Sequence, residues 1–295
     1  MRMLLIGGNG QVGFELRRAL APLGEVMAFD YPDINLADPA SITGTIDRAA
    51  PRVIVNAAAY TAVDKAESEP ELARAINAVA PGIIGTAARR HGARVIHYST
   101  DYVYDGTKPS AYVEDDATNP LCVYGATKRD GDLALAASGA EHFVFRTSWV
   151  FGAHGNNFVK TVLRLAAERD KLNVVADQFG APTSATLLAD VTAQVLGQLR
   201  YREAAMPASG IYHLVADGET SWHGFAQAII AGALARGRTL KLAAEAVRAI
   251  PTSEYPLPAP RPANSRLDTR RLRQTFGLVL PSWQAGLDHV LDQIL

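Results

Sequence analysis

Cysteine is nearly absent from this 295-residue chain: Cys122 stands alone. One thiol builds no disulfide framework, so a small secreted scaffold is excluded and a cytoplasmic protein is expected. No reactive-cysteine motif surrounds Cys122, which reads as a small buried apolar side chain. An excess of either charge is missing too. Lys plus Arg number 29 against 30 Asp plus Glu, a formal net charge of −1. A nucleic-acid partner would want a concentrated basic face, and none is expected. No apolar run is long enough to cross a bilayer, so no membrane partner is expected either. The opening Met1–Ile6 run stops at Gly7, too early for a signal peptide. Metal-ligand spacing is also lacking. His91, His97, His142, His154, His213, His223 and His289 are scattered, with no H-x-x-x-H and no paired Cys, and no metal site is expected.

What is present is a rhythm. Met3–Ile6, Val26–Phe29, Val53–Asn56, Arg94–Ser99 and Phe143–Thr147 read as short strands. Phe14–Leu23, Glu71–His91 and Lys128–Ala137 carry helical spacing between them. Apolar strands alternating with helices predict right-handed βαβ units and a parallel sheet covered on both faces. The expected fold class is α/β, a doubly wound parallel sheet of Rossmann type, with a smaller C-terminal α/β domain for substrate. Residues 1–150 would bind the dinucleotide and 151–295 mainly the substrate. Segments near 174–216, including a strand at Ile211–Val215, would return to the first sheet. Pro256, Pro258, Pro260 and Pro262 alternate within 251–262, which predicts an extended loop, a common carrier of function. The acidic run Glu114-Asp115-Asp116 reads as a solvated loop.

Directly after the first strand comes Gly7-Gly8-Asn9-Gly10-Gln11-Val12-Gly13. A tight strand-to-helix turn needs glycine, and a pyrophosphate needs close approach to N–H groups at a helix N-terminus. A glycine triplet alone is a weak signal. Its strand–turn–helix setting at the start of a βαβ unit makes it a dinucleotide fingerprint, with Gly13 packing helix on sheet. The second strand ends at Asp30. A carboxylate there would bind an adenosine ribose 2′-OH and repel a 2′-phosphate, which favours NADH, and no Arg or Lys follows directly.

Tyr124-Gly125-Ala126-Thr127-Lys128 is a Y-x-x-x-K segment. Residues four apart share a helix face, so Lys128 would sit beside Tyr124. An ammonium neighbour stabilises phenolate and turns a sluggish acid into a usable proton donor to a carbonyl receiving hydride. Y-x-x-x-K arises often by chance. Two features raise its weight. The strand Arg94–Ser99 runs into Ser99-Thr100-Asp101-Tyr102, and hydroxyls at such carboxyl ends can orient a proton transfer. The third strand runs into Asn56-Ala57-Ala58-Ala59-Tyr60, small residues against which a cofactor can lie.

Longer stretches carry a closer likeness. Val55–Glu67, His97–Val103, Arg146–Val150, Gly155–Phe158, Asp177–Thr183 and Arg261–Ser265 resemble, in order and over the whole chain, the dTDP-4-dehydrorhamnose reductases of the extended short-chain dehydrogenase/reductase superfamily. The resemblance implies a sugar-nucleotide substrate, NADH or NADPH as reductant, and reduction of a 4-keto sugar. Thr100, Tyr124 and Lys128 match its catalytic positions. Gly7, Gly10, Gln11, Val12, Gly13, Asp30, Asn35, Leu36, Ala59, Tyr60, Thr61 and Tyr98 match its cofactor positions, together with Tyr124 and Lys128. Thr100, Asp101 and Trp149 match substrate contacts, Trp149 as an apolar wall. Arg261 and Arg266 flank Asn264 and could grip a diphosphate.

Two departures qualify the match. Asn35 stands where the family usually has an acidic residue. Some members form a homodimer around Mg²⁺ held by glutamates; Glu15 is present, but the region around Thr186 lacks its glutamate, so a metal-bridged dimer is not expected. Two other readings fit the fold. An epimerase or dehydratase acting on a related sugar nucleotide would need an Asp-Glu pair where this chain has Thr100-Asp101-Tyr102. A non-catalytic nucleotide-binding subunit, like the regulatory subunits of methionine adenosyltransferase that resemble this family, would have no use for an intact Thr100/Tyr124/Lys128 set.

Overall fold

A computed structural model describes residues 1–201 and 207–295. Six strands form one parallel sheet: β1 (Arg2–Ile6), β2 (Glu25–Phe29), β3 (Val53–Asn56), β4 (Arg94–Thr100), β5 (His142–Thr147) and β6 (Gly210–His213). Their spatial order is β6-β5-β4-β3-β1-β2. β3 and β5 are buried from end to end, as strands covered on both faces must be. Successive residues serve opposite faces. Met3, Leu5, Val53, Val55, Phe143 and Phe145 fill one core. Leu4, Ile6, Ile54, Val95 and Val144 fill the other.

Four helices of the first half cover these faces: α1 (Gln11–Leu20), α2 (Pro39–Ala49), α3 (Ala80–His91) and α4 (Val123–Ala137). The sequence reading had no helix at α2, although Asp38 caps it through a bond from the Ala40 N–H and Pro39 opens its first turn. α3 continues from Pro70–Arg74 through a π-helical turn at Ala75–Val79. α4 begins five residues earlier than expected, at Val123, with the Cys122 sulfur accepting from the Gly125 N–H as its cap.

The second half builds a third core from α5 (Phe158–Glu168), α7 (Trp222–Ala235) and α9 (Trp283–Ile294), with Val162, Phe225, Ile229, Trp283 and Val290 at its centre. Between them in sequence, α6 (Ala185–Tyr201) lies against the first sheet, where Leu188, Val191 and Val195 join Leu16 and Leu20 of α1. α8 (Arg270–Phe276) does the same through Leu272 and Phe276. Leu172–Val175 pairs in parallel with Val247–Ile250, outside the main sheet. Residues 251–262 hold one short 3-10 turn, Thr252–Glu254, and otherwise run irregularly. Among the described residues no helix is long and apolar enough to cross a membrane.

The acidic run at 114–116 departs from its expectation. Glu114 is buried; it accepts from the His213 N–H at 2.9 Å and lies 3.6 Å from the Arg271 guanidinium. Asp116 accepts from the Val113 N–H at 2.7 Å and pairs with Lys108. The segment fastens β6 to the loop before α4, which a charge count in sequence does not convey.

Candidate active site

The strand order reverses at β1, whose neighbours are β2 on one side and β3 on the other. Open α/β sheets bind ligands above the carboxyl ends of the strands at such a switch point. A cleft of about 730 Å³ opens there. Gly7, Gly10, Gln11 and Val12, with Asp30 bonded to their loop, form one end and Thr100, Asp101, Tyr124, Lys128 and Trp149 the other, and Ala59, Thr61 and Tyr98 also line the cleft.

The glycines divide by cause. Gly7 has φ +87°, and a Cβ there would lie 2.7 Å from the Ala58 nitrogen. A Cβ on Gly13 would sit 1.9 Å from the Gly7 carbonyl oxygen. The fold itself demands both. Gly10 is different: a Cβ there would meet only the Gly7 oxygen, at 3.4 Å. Its smallness serves the open cleft at the N-terminus of α1, where free N–H groups favour an anion. That arrangement fits a dinucleotide pyrophosphate. Asp30 accepts from the Asn9 N–H at 3.1 and 3.2 Å and so holds the loop closed. Arg17, from the second turn of α1, brings Nη2 to 3.8 Å from Asp30 and 3.0 Å from the Asn9 side-chain oxygen. No residue following Asp30 in sequence supplies a cation, but α1 does, and the sequence reading missed it.

At the other end, Lys128 is fully buried on the first turns of α4. Its Nζ donates to the Tyr98 carbonyl at 2.6 Å and lies 3.2 Å from His97 Nε2. Burial lowers its pKa to about 8, against the raising pull of Asp132. Tyr124 packs edge-on against Tyr102, ring centroids 5.5 Å apart. Burial pushes its phenol up, and the nearby Thr100 hydroxyl pulls the other way. Thr100 donates to Asp101 Oδ1 at 3.0 Å. Asp101 is buried and its pKa is pushed up to about 6 by desolvation. Its Oδ2 is itself buried without a well-formed hydrogen bond among the described residues, and the Ser265 side chain pulls the carboxyl back toward its charged form. Trp149 has φ +50° and stacks on Trp222 at 3.7 Å.

The family model of the RmlD substrate binding domain matches residues 1–295. The chain belongs to the dTDP-4-dehydrorhamnose reductase family. A dTDP-4-dehydrorhamnose reductase of Escherichia coli (strain K12) is 50% identical over 298 residues, covering 100% of this chain and 98% of that protein. One of Burkholderia thailandensis is 49% identical, covering 100% and 99%. A crystal structure of a family member from Clostridium acetobutylicum has TM-score 0.90 at 35% identity, with 99% of each chain covered. The Bacillus anthracis enzyme, solved in complex with NADP, has TM-score 0.88 at 33% identity, again with 99% of each chain covered.

Four positions matched to the family's cofactor contacts, Gly13, Asn35, Leu36 and Tyr60, stand outside this cleft's lining. Leu36 is buried in the core beneath α2. Asn35 spends its side-chain oxygen on the Ala37 N–H, and its own N–H on Ser41. Tyr60 turns its hydroxyl to Glu69 at 2.7 Å, while its backbone is gripped by Asn77. Arg266 also lies elsewhere, bonded to Asn264, the Pro109 carbonyl and Glu219. Glu15 is paired with Arg18 at 3.3 Å, and no group of three or more His, Cys, Asp or Glu among the described residues is placed to hold a metal.

A second cavity, of about 500 Å³, adjoins the cleft, and Tyr102 lines both. Phe158, Trp222, Tyr255, Leu257, Arg261 and Gln178 line it, so the Pro-rich stretch supplies much of one wall. Arg261 lies over the Tyr102 ring at 5.9 Å and pairs with Asp64 at 2.8 Å. The sequence marked three of these segments, Gly155–Phe158, Asp177–Thr183 and the Pro-rich stretch at 251–262, but not Trp222.

Proposed function

We propose that this protein reduces the 4-keto group of dTDP-4-dehydro-β-L-rhamnose to give dTDP-L-rhamnose at the expense of NADPH or NADH. The observation that carries the reading is the placement of Thr100, Tyr124 and Lys128 together at the end of a cleft whose far end is a phosphate-type glycine loop. The family membership supplies the substrate's name. A reduced nicotinamide bound in the cleft supplies hydride to the ketone carbon. Tyr124 gives its phenolic proton to the sugar O4, with the Thr100 hydroxyl in the same cleft wall to orient the sugar. Lys128 holds positive charge behind the phenol and anchors the nicotinamide ribose. Asp101, in the cleft lining beside Thr100, takes a sugar hydroxyl.

Gly7, Gly10, Gln11, Val12 and Gly13 hold the pyrophosphate, and Asp30 the ribose, with Arg17 beside it to meet a 2′-phosphate. Ala59, Thr61 and Tyr98 also line the cleft. In this reading residues 1–150 chiefly serve the dinucleotide. The nucleotide of the substrate fills the second cavity, between the Trp222 and Tyr255 walls, with Arg261 toward its diphosphate. We place the protein in the cytoplasm, in keeping with its single buried thiol.

The test is direct. Purified protein with NADPH or NADH and dTDP-4-dehydro-L-rhamnose should consume the reduced nicotinamide, read as loss of its absorbance. No consumption with either cofactor sinks the proposal. Tyr124→Phe should abolish turnover and spare dinucleotide binding; a fully active variant removes Tyr124 as the acid.

A further inference from the structure

Lys128 has a buried neighbour whose chemistry conflicts with an ammonium. His97, on β4, is 1% exposed. Its Nε2 lies 3.2 Å from Lys128 Nζ and its Nδ1 lies 3.1 Å from Asn56 Nδ2. The Asn56 amide is oriented by its other end, where Oδ1 accepts from the Ala58 N–H at 3.3 Å. An amide NH2 only donates, so His97 Nδ1 must carry a lone pair. Burial, the Lys128 charge and His142 all hold the ring neutral. Its one proton therefore sits on Nε2 and points at Lys128. A neutral amine accepts that proton and still donates to the Tyr98 carbonyl at 2.6 Å. An ammonium has no lone pair to offer. It can bond to His97 only if the imidazole proton moves to Nδ1 and the Asn56 amide turns over, and then the amide NH2 faces the Ala58 N–H. Either way the charged lysine costs one buried hydrogen bond.

We propose that His97, held by Asn56 in the tautomer that aims Nε2–H at Lys128, is a positioning residue that sets the proton affinity of the catalytic lysine. The inference rests on the placement of Lys128 in the reductase site argued above. The other groups facing the pair are accounted for. Asp132, one turn along α4, pulls the lysine toward its charged form. It is itself held by Arg146 of β5 at 3.1 Å and by the Ser99 hydroxyl at 2.9 Å. Tyr124 lies one turn before Lys128 on the same helix. His142 bears on His97 from β5. The coupling gives the lysine a reason to titrate where it can both take up a proton and pass one on. A lysine paired to acceptors alone would stay an ammonium through the same range.

The experiment uses the enzyme loaded with NADP⁺, labelled with ¹⁵N histidine and lysine. Above the lysine's titration, the ring shifts of His97 should report Nε2 protonated and Nδ1 bare. Asn56→Asp offers an acceptor to Nδ1–H, so the proton should move to Nδ1. The Lys128 titration, and with it the basic limb of kcat/KM, should then rise by about one pH unit. His97→Gln, which can turn a carbonyl to the ammonium without adding charge, should raise both in the same direction. The two variants together separate the tautomer from the extra carboxylate. If Asn56→Asp does not fold, the wild-type tautomer and His97→Gln still decide. A wild-type ring protonated on Nδ1, or a lysine titration unmoved in His97→Gln, overturns the proposal. The NMR readouts need no substrate. If they behave as expected while the ketone goes unreduced, the function has failed and the His97 coupling stands.

Discussion

At the scale of single residues, the informative contrast is between side chains the fold needs and those it does not. Gly7 and Gly13 are sterically compelled, whereas Gly10 faces open cleft. Gly10→Ala should therefore leave unfolding in urea within about 0.5 kcal/mol of the parent while dinucleotide affinity falls at least tenfold by titration calorimetry. An equal loss of stability and binding would make Gly10 a structural glycine after all. Lys128 gives a second test. Its pKa is lowered to about 8, so the charge behind Tyr124 is present below that pH and lost above it. Turnover should fall as pH rises through about 8, and a profile flat to pH 10 would contradict the assigned role. Asn35, Leu36 and Tyr60, matched by resemblance to cofactor positions, have side chains that go elsewhere than the cleft, because turns and strand exits aim neighbouring residues apart. Leu36 goes to the core and Tyr60 to Glu69. Arg17 is the opposite case: helical periodicity hid a cation that reaches the Asp30 carboxylate across space.

At the scale of elements, the parallel strands were legible because burial on both faces writes them as short apolar runs. The π-helical turn at Ala75–Val79 was not, since nothing local marks it. Its cause is tertiary. The turn brings Asn77 to the Tyr60 N–H at 2.8 Å, the Tyr60 carbonyl at 3.0 Å and the Thr127 hydroxyl at 3.3 Å. One buried side chain thus ties the Ala59–Thr61 segment to α4 at Thr127, three residues after Tyr124 and one before Lys128. Gly131 permits the approach, because a Cβ there would meet the Asn77 carbonyl at 2.0 Å. Asn77→Ala leaves the Tyr60 backbone polar groups without these partners. We expect a loss of about 1–3 kcal/mol in urea unfolding and a KM for dinucleotide that rises more than kcat falls. A kcat loss with KM unchanged would mean that Asn77 does not set the cofactor wall.

At the scale of the whole molecule, the boundary near residue 150 is not a seam in energy. α6 and α8, both from the second half, complete the core under the first sheet, and Leu187 packs against that core and the third one together. Across the cleft, Asn157 donates to Gln11 at 3.0 Å and His154 stacks on Phe14 with centroids 4.2 Å apart. Asp64 accepts from Arg261 and from the Ala259 N–H, fastening the Pro-rich stretch to the first half. Two halves sharing a core and a cleft rim should melt together. The three tryptophans, Trp149, Trp222 and Trp283, all lie in or beside the second half, whereas the glycine loop lies in the first. A ligand that binds only the folded state at 100 times its dissociation constant stabilises by about 2.7 kcal/mol, roughly 5 °C in a protein of this size. NADPH should therefore shift the tryptophan-reported transition by the same interval as the far-ultraviolet circular dichroism transition. If the tryptophan signal melts at its original temperature while the circular dichroism signal splits, the halves are independent. The shared core would then be too weak to couple the cofactor to the substrate side.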